Sequence, residues 1–311
     1  MEIYYINGAF KHKSNTLISV EDRGFNFSDG VYEVIYFLKY SLMNLDKHFL
    51  RLKRSLNELK IKSPYKNFKS LELIIKRLII LNNLESGFIY LQITRGSSER
   101  NHLFPKNIQP NVVLFVFPKK NIKSILKGVS VGLSQDLRWK RCDIKAIGLL
   151  PNLLEKQKAS EQGHYEIWLT KNNFITEGST SNAFIINKKS EIITHPKNNY
   201  ILGGVTRDCV VEIAKKCKFH LIEKPFSIND VKNCQEAFLT STTVGIVPVI
   251  QVGENVINFE KIGDRTMRRF DKLTDKQLDY NTNFNIYNKP KNDFDYLLFL
   301  KNDVSDPVLL S

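Results

Sequence analysis

Arg138-Trp139-Lys140-Arg141-Cys142-Asp143-Ile144-Lys145 is a cationic stretch that ends on a lysine. Neighbouring positive charge and partial burial both favour a neutral amine, and a neutral amine is a nucleophile. One more surface lysine in a lysine-rich chain is the competing reading, and the stretch alone does not separate the two. Its surroundings have to decide. Downstream, Glu177-Gly178-Ser179-Thr180-Ser181-Asn182 sets a carboxylate on a tight turn between strand-like runs, where backbone N–H groups are available, although alone it is an ordinary polar turn. Leu202-Gly203-Gly204-Val205-Thr206-Arg207 precedes an apolar-periodic helix. Unpaired N–H groups and the helix dipole suit a phosphate there, and a plain glycine turn with a threonine cap reads equally well. Thr240-Ser241-Thr242-Thr243 follows a strand-like run and offers a third set of hydroxyls and amides.

Upstream, Thr94-Arg95-Gly96-Ser97-Ser98-Glu99-Arg100-Asn101-His102 closes another strand-like run. The Arg100-x-His102 alternation places both cations on one side of an extended backbone, which suits a carboxylate; an exposed pair that binds nothing is the alternative. Tyr32, in Asp29-Gly30-Val31-Tyr32-Glu33, reads as a core or interface tyrosine. Arg51 sits among apolar residues in His48-Phe49-Leu50-Arg51-Leu52, and a partly buried arginine needs an anion partner.

The 311 residues are 42% hydrophobic and 25% charged, a globular composition that excludes disorder and collagen-like repeats. A chain longer than the roughly 250–300 residues at which single cores stop growing predicts two domains and a cleft between them. The boundaries expected are an N-terminal α+β domain at 1–118, a linker at 119–127, a second domain at 128–275 and an appendage at 276–311. Asn7-Gly8 between apolar residues predicts a hairpin over 3–10. Strands are expected at 31–38, 88–94 and 112–117, a helix capped by Asp46 with Phe49, Leu52, Leu56 and Leu59 on one stripe, and another helix at 71–81. Strands at 166–169, 182–186, 237–239 and 247–250, with helices at 150–162 and 206–217, make the second half a mixed unit. The fold class is α/β (α+β).

A formal charge of +14 would suit a polyanion if clustered, but the lysines are dispersed and no recognition motif appears. A nucleic-acid-binding protein is therefore the rival class, and it would show steep salt dependence. Cys142, Cys209, Cys217 and Cys234 lack C-x-x-C spacing and nearby paired histidines, so neither a metal site nor a disulfide scaffold is expected, and a reducing compartment fits. The opening residues carry no signal-peptide pattern, and the apolar run at 71–81 holds Lys76 and Arg77 and is too short for a bilayer, so a cytoplasmic protein without membrane contact is expected.

In their order and spacing these stretches, together with Glu21-Asp22-Arg23-Gly24-Phe25, Asp29-Gly30-Val31-Tyr32-Glu33-Val34 and Gly204-Val205-Thr206-Arg207-Asp208, resemble the class IV aminotransferases. These form the fold type IV family dependent on pyridoxal 5′-phosphate, and the likeness runs from Met1 to about Lys272. The resemblance implies a smaller N-terminal α+β domain and a larger C-terminal domain with a barrel-like β core. It implies that Lys145 is the Schiff-base lysine and proton shuttle, and that Glu177 hydrogen-bonds the pyridine nitrogen. Arg51, the Val205 and Thr206 amides, Ser241 and Thr242 would hold the phosphate, and Leu202 would pack on the ring face. Tyr32, Arg100 and His102 match the carboxylate trap of the family's D-amino acid enzymes, in part contributed across a homodimer interface. The implied reaction is D-alanine plus 2-oxoglutarate to pyruvate plus D-glutamate, by a ping-pong route on small-molecule partners alone. Branched-chain L-amino acid aminotransferases and 4-amino-4-deoxychorismate lyases of the same family would share Lys145 and Glu177, so Arg100 and His102 are the discriminating residues.

Overall fold

The computed structural model describes residues 2–119 and 124–257. The expected linker at 119–127 lies partly outside these residues, as does the second domain beyond 257, and the appendage at 276–311 lies wholly outside them.

In chain order the first half contains β1 (Ile3–Ile6), β2 (Ala9–His12), α1 (Arg23–Phe27), β3 (Gly30–Leu38), β4 (Ser41–Leu42), α2 (Leu45–Glu58), α3 (Phe68–Asn82), β5 (Ser86–Thr94) and β6 (Asn111–Pro118). Its strands form one six-stranded antiparallel sheet in the order β2-β1-β6-β5-β3-β4. The Asn7-Gly8 turn adopts the two positive φ angles, 46° and 96°, that a tight hairpin requires, with Ile6 paired to Ala9. α2 and α3 cover the sheet. Phe49, Leu52 and Leu56 of α2 and Leu71, Ile75 and Leu78 of α3 close over Ile35, Phe37, Ile89 and Leu91. One sequence expectation changes: Asp46 does not cap α2. Asn44 precedes the helix in a left-handed conformation without a side-chain cap, and Asp46 lies in the first turn, where its charge meets the positive end of the helix dipole. Leu59, expected on the helical stripe, is the C-cap.

The second half contains β7 (Val129–Gln135), α4 (Leu150–Glu161), β8 (Glu166–Lys171), β9 (Phe174–Gly178), β10 (Asn182–Ile186), β11 (Ile192–Thr194), α5 (Val205–Lys216), β12 (Leu221–Glu223), β13 (Phe226–Ser227), α6 (Ile228–Lys232), β14 (Glu236–Ser241), β15 (Gly245–Val252) and β16 (Asn255–Val256). They build a ten-stranded, curled sheet in the order β12-β11-β10-β14-β15-β7-β8-β9-β13, with β16 paired to β15. Trp168, Ile185, Leu239, Val247 and Val249 fill one core, and α5 packs Val210 and Ala214 over Phe184 and Phe238 in another.

Parallel pairing decides where the loops go. β7 runs parallel to β8, and β11 runs parallel to β12. Parallel neighbours cannot be joined by a tight turn, so each pair needs a long crossover. The first crossover contains the 138–145 stretch and α4; the second contains 195–204 and α5. The first also returns to the other sheet. Val31 forms an isolated bridge with Ala146, the Tyr32 N–H donates to the Lys145 carbonyl at 3.1 Å, and the Ile147 N–H donates to the Gly30 carbonyl at 3.1 Å. Among the described residues no helix is long and apolar enough to cross a membrane.

Candidate active site

The two crossovers and β3 enclose a cavity of about 540 Å³. Tyr32, Arg51, Lys145, Glu177, Leu202, Val205, Thr206, Ser241 and Thr242 all line it, brought together from across the chain.

Lys145 is placed by its backbone. Its carbonyl is held by Tyr32, its N–H donates to Ser55 Oγ at 3.2 Å, and its Nζ lies 4.1 Å from the centre of the Tyr32 ring. The arginines expected from the sequence to make cationic surroundings are, however, paired with carboxylates. Arg138 pairs with Asp136 and Glu177, Arg141 pairs with Asp143 and Glu58 at 3.0 and 2.6 Å, and Arg54 pairs with Asp143. The arginines of this stretch act as structural cross-links, each drawn to a carboxylate.

Glu177, at the end of β9, is buried at 4% exposure. Its carboxylate accepts from Arg138 NH1 at 2.5 Å, Asn182 Nδ2 at 2.9 Å and the Leu202 N–H at 3.0 and 3.1 Å. Burial nevertheless outweighs these contacts and pushes the carboxyl up to about 7, into the range where an acid or base changes state near neutral pH. Arg138 and Asn182 were not singled out by the sequence. Their signal is tertiary, because Arg138 meets Glu177 across 39 residues and Asn182 Nδ2 bridges Glu177 to the Leu202 carbonyl, 2.9 Å away.

At the other end, Arg51 finds the anion its apolar setting requires inside the protein. Its Nε and NH2 donate to the two oxygens of Glu33 at 2.8 and 2.7 Å, and NH1 donates to the Gly203 carbonyl at 3.0 Å. Glu33 is fully buried and also receives His48 Nδ1 at 2.7 Å. Burial alone would raise the Glu33 carboxyl, but the Arg51 charge and the Arg51 and His48 hydrogen bonds hold it at about 2. Burial lowers His48, which leaves it as the neutral donor of that pair. α5 begins beside Arg51. Its N-cap is Gly204 without a side-chain bond, so the threonine-cap reading falls, and the first-turn N–H groups have no carbonyl inside the helix to pair with. Thr240 Oγ1 and Arg207 Nε, both buried on residues lining the cavity, have no hydrogen-bond partner, and Ser241 and Thr242 stand next to them on the rim.

Arg100 and His102 are not brought to this cavity. β5 ends at Thr94, so neither lies on an extended strand, and both are exposed on the loop that follows. They remain side by side, packed on Phe27 at 5.0 and 5.6 Å. The loop is pinned by Arg23 NH1 to the Asn101 carbonyl at 2.6 Å and by Arg95, which lies 3.6 Å over the Phe104 ring.

The cavity thus joins a buried carboxylate, a backbone-fixed lysine and an uncapped helix N-terminus. The family model described as amino-transferase class IV matches residues 30–252. The D-alanine aminotransferase of Staphylococcus aureus (strain N315) is 37% identical over 271 residues, covering 86% of this chain and 94% of that protein. That of Bacillus licheniformis is 36% identical over 252 residues, covering 81% and 88%. Among solved structures, the branched-chain aminotransferase of Thermoproteus uzoniensis superposes with a TM-score of 0.77 at 23% identity, covering 89% of this chain and 96% of that one. The enzyme of Escherichia coli gives 0.76 at 22%, covering 88% and 94%. Sequence and fold agree, and the chain belongs to the class IV aminotransferases.

Proposed function

We propose that this protein is a pyridoxal 5′-phosphate-dependent transaminase of D-amino acids, exchanging the amino group between D-alanine and 2-oxoglutarate to give pyruvate and D-glutamate in a ping-pong sequence. The observation that carries it is the meeting of Lys145 and Glu177 in one cavity with an uncapped helix N-terminus, in a chain 37% identical to a D-alanine aminotransferase.

The residues fit the cofactor. The first-turn N–H groups of Val205 and Thr206, with Arg51, Ser241 and Thr242, supply donors at the end where a phosphate would lie, and Thr240 Oγ1, buried on a residue of that lining, has no other partner among the described residues. Glu177 would face the pyridine nitrogen, Leu202 the ring face, and Lys145 Nζ the aldehyde carbon. When bound, the group supplies an electron sink for the negative charge that develops at the substrate Cα. Lys145 Nζ would take up and return the proton at the substrate Cα, and the pairing of its backbone with β3 fixes the face from which it acts. With that face set, the side of the site that binds the carboxylate selects the enantiomer.

The carboxylate trap is Tyr32 from the same chain with Arg100 and His102 from a second copy, because those two lie on a pinned, exposed loop away from their own cavity. The assembly is thus a homodimer, and the six-stranded and ten-stranded sheets are the cores of two domains that meet at the site. The test is the absorbance of the cofactor-loaded protein. D-alanine should convert the lysine-bound band to the pyridoxamine form while L-leucine leaves it unchanged, and Lys145→Ala should lose the band. Conversion by L-leucine would move the protein to the branched-chain enzymes, and normal turnover by Lys145→Ala would reject the reading.

A further inference from the structure

Asp136 does not line the cavity, yet it commands the arginine that holds Glu177. It follows β7 directly, and its N–H is tied to the Thr170 carbonyl at 2.8 Å. Its Oδ1 accepts from Arg138 Nε at 3.0 Å and from the Arg138 N–H at 3.1 Å. Its Oδ2 accepts from Arg138 NH2 at 2.8 Å and from Thr176 Oγ1 at 2.8 Å. Arg138 NH2 also donates to the Tyr200 carbonyl, which leaves NH1 as the group that reaches Glu177.

The side chains of Asp136, Arg138 and Glu177 are each 6% exposed. Two carboxylates therefore share one guanidinium in a nearly dry cluster. A buried charge without a counter-charge is costly, so the cluster calls for one more positive partner. Contrast the Glu33–Arg51 pair, which is balanced one to one around a neutral histidine. Glu177 also meets the Asn182 amide, the Leu202 N–H and the Cys142 thiol, which burial raises to about 11, while Lys145 and Lys156 are the lysines that line the same cavity.

We propose that Asp136 is a positioning residue for Glu177: by engaging Nε and NH2 of Arg138 it leaves the cluster with one uncompensated negative charge directed at the cavity, where a protonated pyridine nitrogen matches it. The inference rests on the function proposed above. The charge it supplies keeps the ring nitrogen protonated, and a protonated ring is the better electron sink.

The test uses the holoenzyme loaded with pyridoxal phosphate labelled with ¹⁵N in the ring, whose NMR shift reads protonation of that nitrogen. In Asp136→Asn the deprotonation midpoint should fall by at least about one pH unit relative to the parent, and Asp136→Glu, which keeps the charge, should retain most of it. The kcat should drop about tenfold while the KM for D-alanine holds, because the trap lies elsewhere. Thr176→Val, which removes one hydrogen bond from Asp136 and keeps its charge, should shift the midpoint less and in the same direction, and it covers the case in which Asp136→Asn folds poorly. An Asp136→Asn ring nitrogen that titrates as in the parent overturns the proposal. Failure of the parent to bind the cofactor would instead sink the proposed function. The ¹³C titration of Glu177 in the cofactor-free chain would still decide the role of Asp136: a midpoint near 7 that falls in Asp136→Asn supports it, and one that stays overturns it.

Discussion

Glu33 and Glu177 are both buried glutamates facing an arginine, and their protonation goes in opposite directions. Glu33 owns a bidentate arginine and a histidine N–H and sits at about 2; Glu177 receives one contact from an arginine already shared with Asp136 and sits at about 7. The consequences for stability have opposite signs. Glu33 is depressed below its ordinary 4.5, so its pair stabilises the fold above that pH and the contribution is lost as pH falls toward 2. Glu177 is raised, so the fold favours its protonated form, and stability is lost as pH rises from 4.5 through 7. Glu177→Gln should remove that loss. Urea unfolding of the cofactor-free chain at acid and at neutral pH should show the variant gaining about 2–3 kcal/mol relative to the parent between the two conditions. Parallel pH profiles would refute the assignment.

The second crossover brings a helix end to the ligand, and its glycine is required by space. A Cβ at Gly204 would lie 2.0 Å from Asn182 Oδ1 and 3.3 Å from Arg207 Cβ. Asn182 is the residue that bridges Glu177 and Leu202, so a shift there would disturb the carboxylate end as well as the helix N-terminus. Gly204→Ala should weaken pyridoxal phosphate binding by roughly tenfold or more, about 1.4 kcal/mol, with little change in secondary structure. A fluorescence titration of the cofactor-free chain would show it, and unchanged affinity would mean that α5 can slide to absorb the methyl. The uncapped start of α5 costs the isolated helix some stability, and those unpaired N–H groups are the ones a phosphate would accept from.

The first crossover bridges to β3, and α2 reaches the second crossover and α5 through Arg51 to the Gly203 carbonyl and Lys47 to Glu212; the site depends on that seam. The proposed dimer adds a second dependence, because Arg100 and His102 would serve the neighbouring copy. Val20, Phe25 and Leu103, all more than 75% exposed, offer apolar surface for such a contact. Lys145→Ala and Arg100→Ala chains, each impaired alone, should restore activity when unfolded and refolded together, to about a quarter of the parent at equal mixing, since half the dimers are mixed and each holds one intact site. No recovery would place Arg100 outside its neighbour's site.

How far the chain could be read depends on how local each feature is. The Asn7-Gly8 hairpin, the Phe49–Leu52–Leu56 stripe and the longer strands of the first sheet were legible because turn chemistry and periodicity act over a few residues. The order of the motifs also sufficed to place Lys145, Glu177, Arg51 and Thr206 in one class of protein. Short strands such as Ile192–Thr194 and Leu221–Glu223 escaped, because a run of three residues has no period to detect, and with them went the parallel pairing that makes the second crossover long. The charge partners escaped too: Glu33 for Arg51, Asp136 and Glu177 for Arg138, Glu58 for Arg141. Residue type says that a buried arginine must find an anion, but the identity of that anion depends on which strands lie side by side. That is why the sequence alone marked a cationic stretch, while the tertiary structure decided that its arginines are paired with carboxylates.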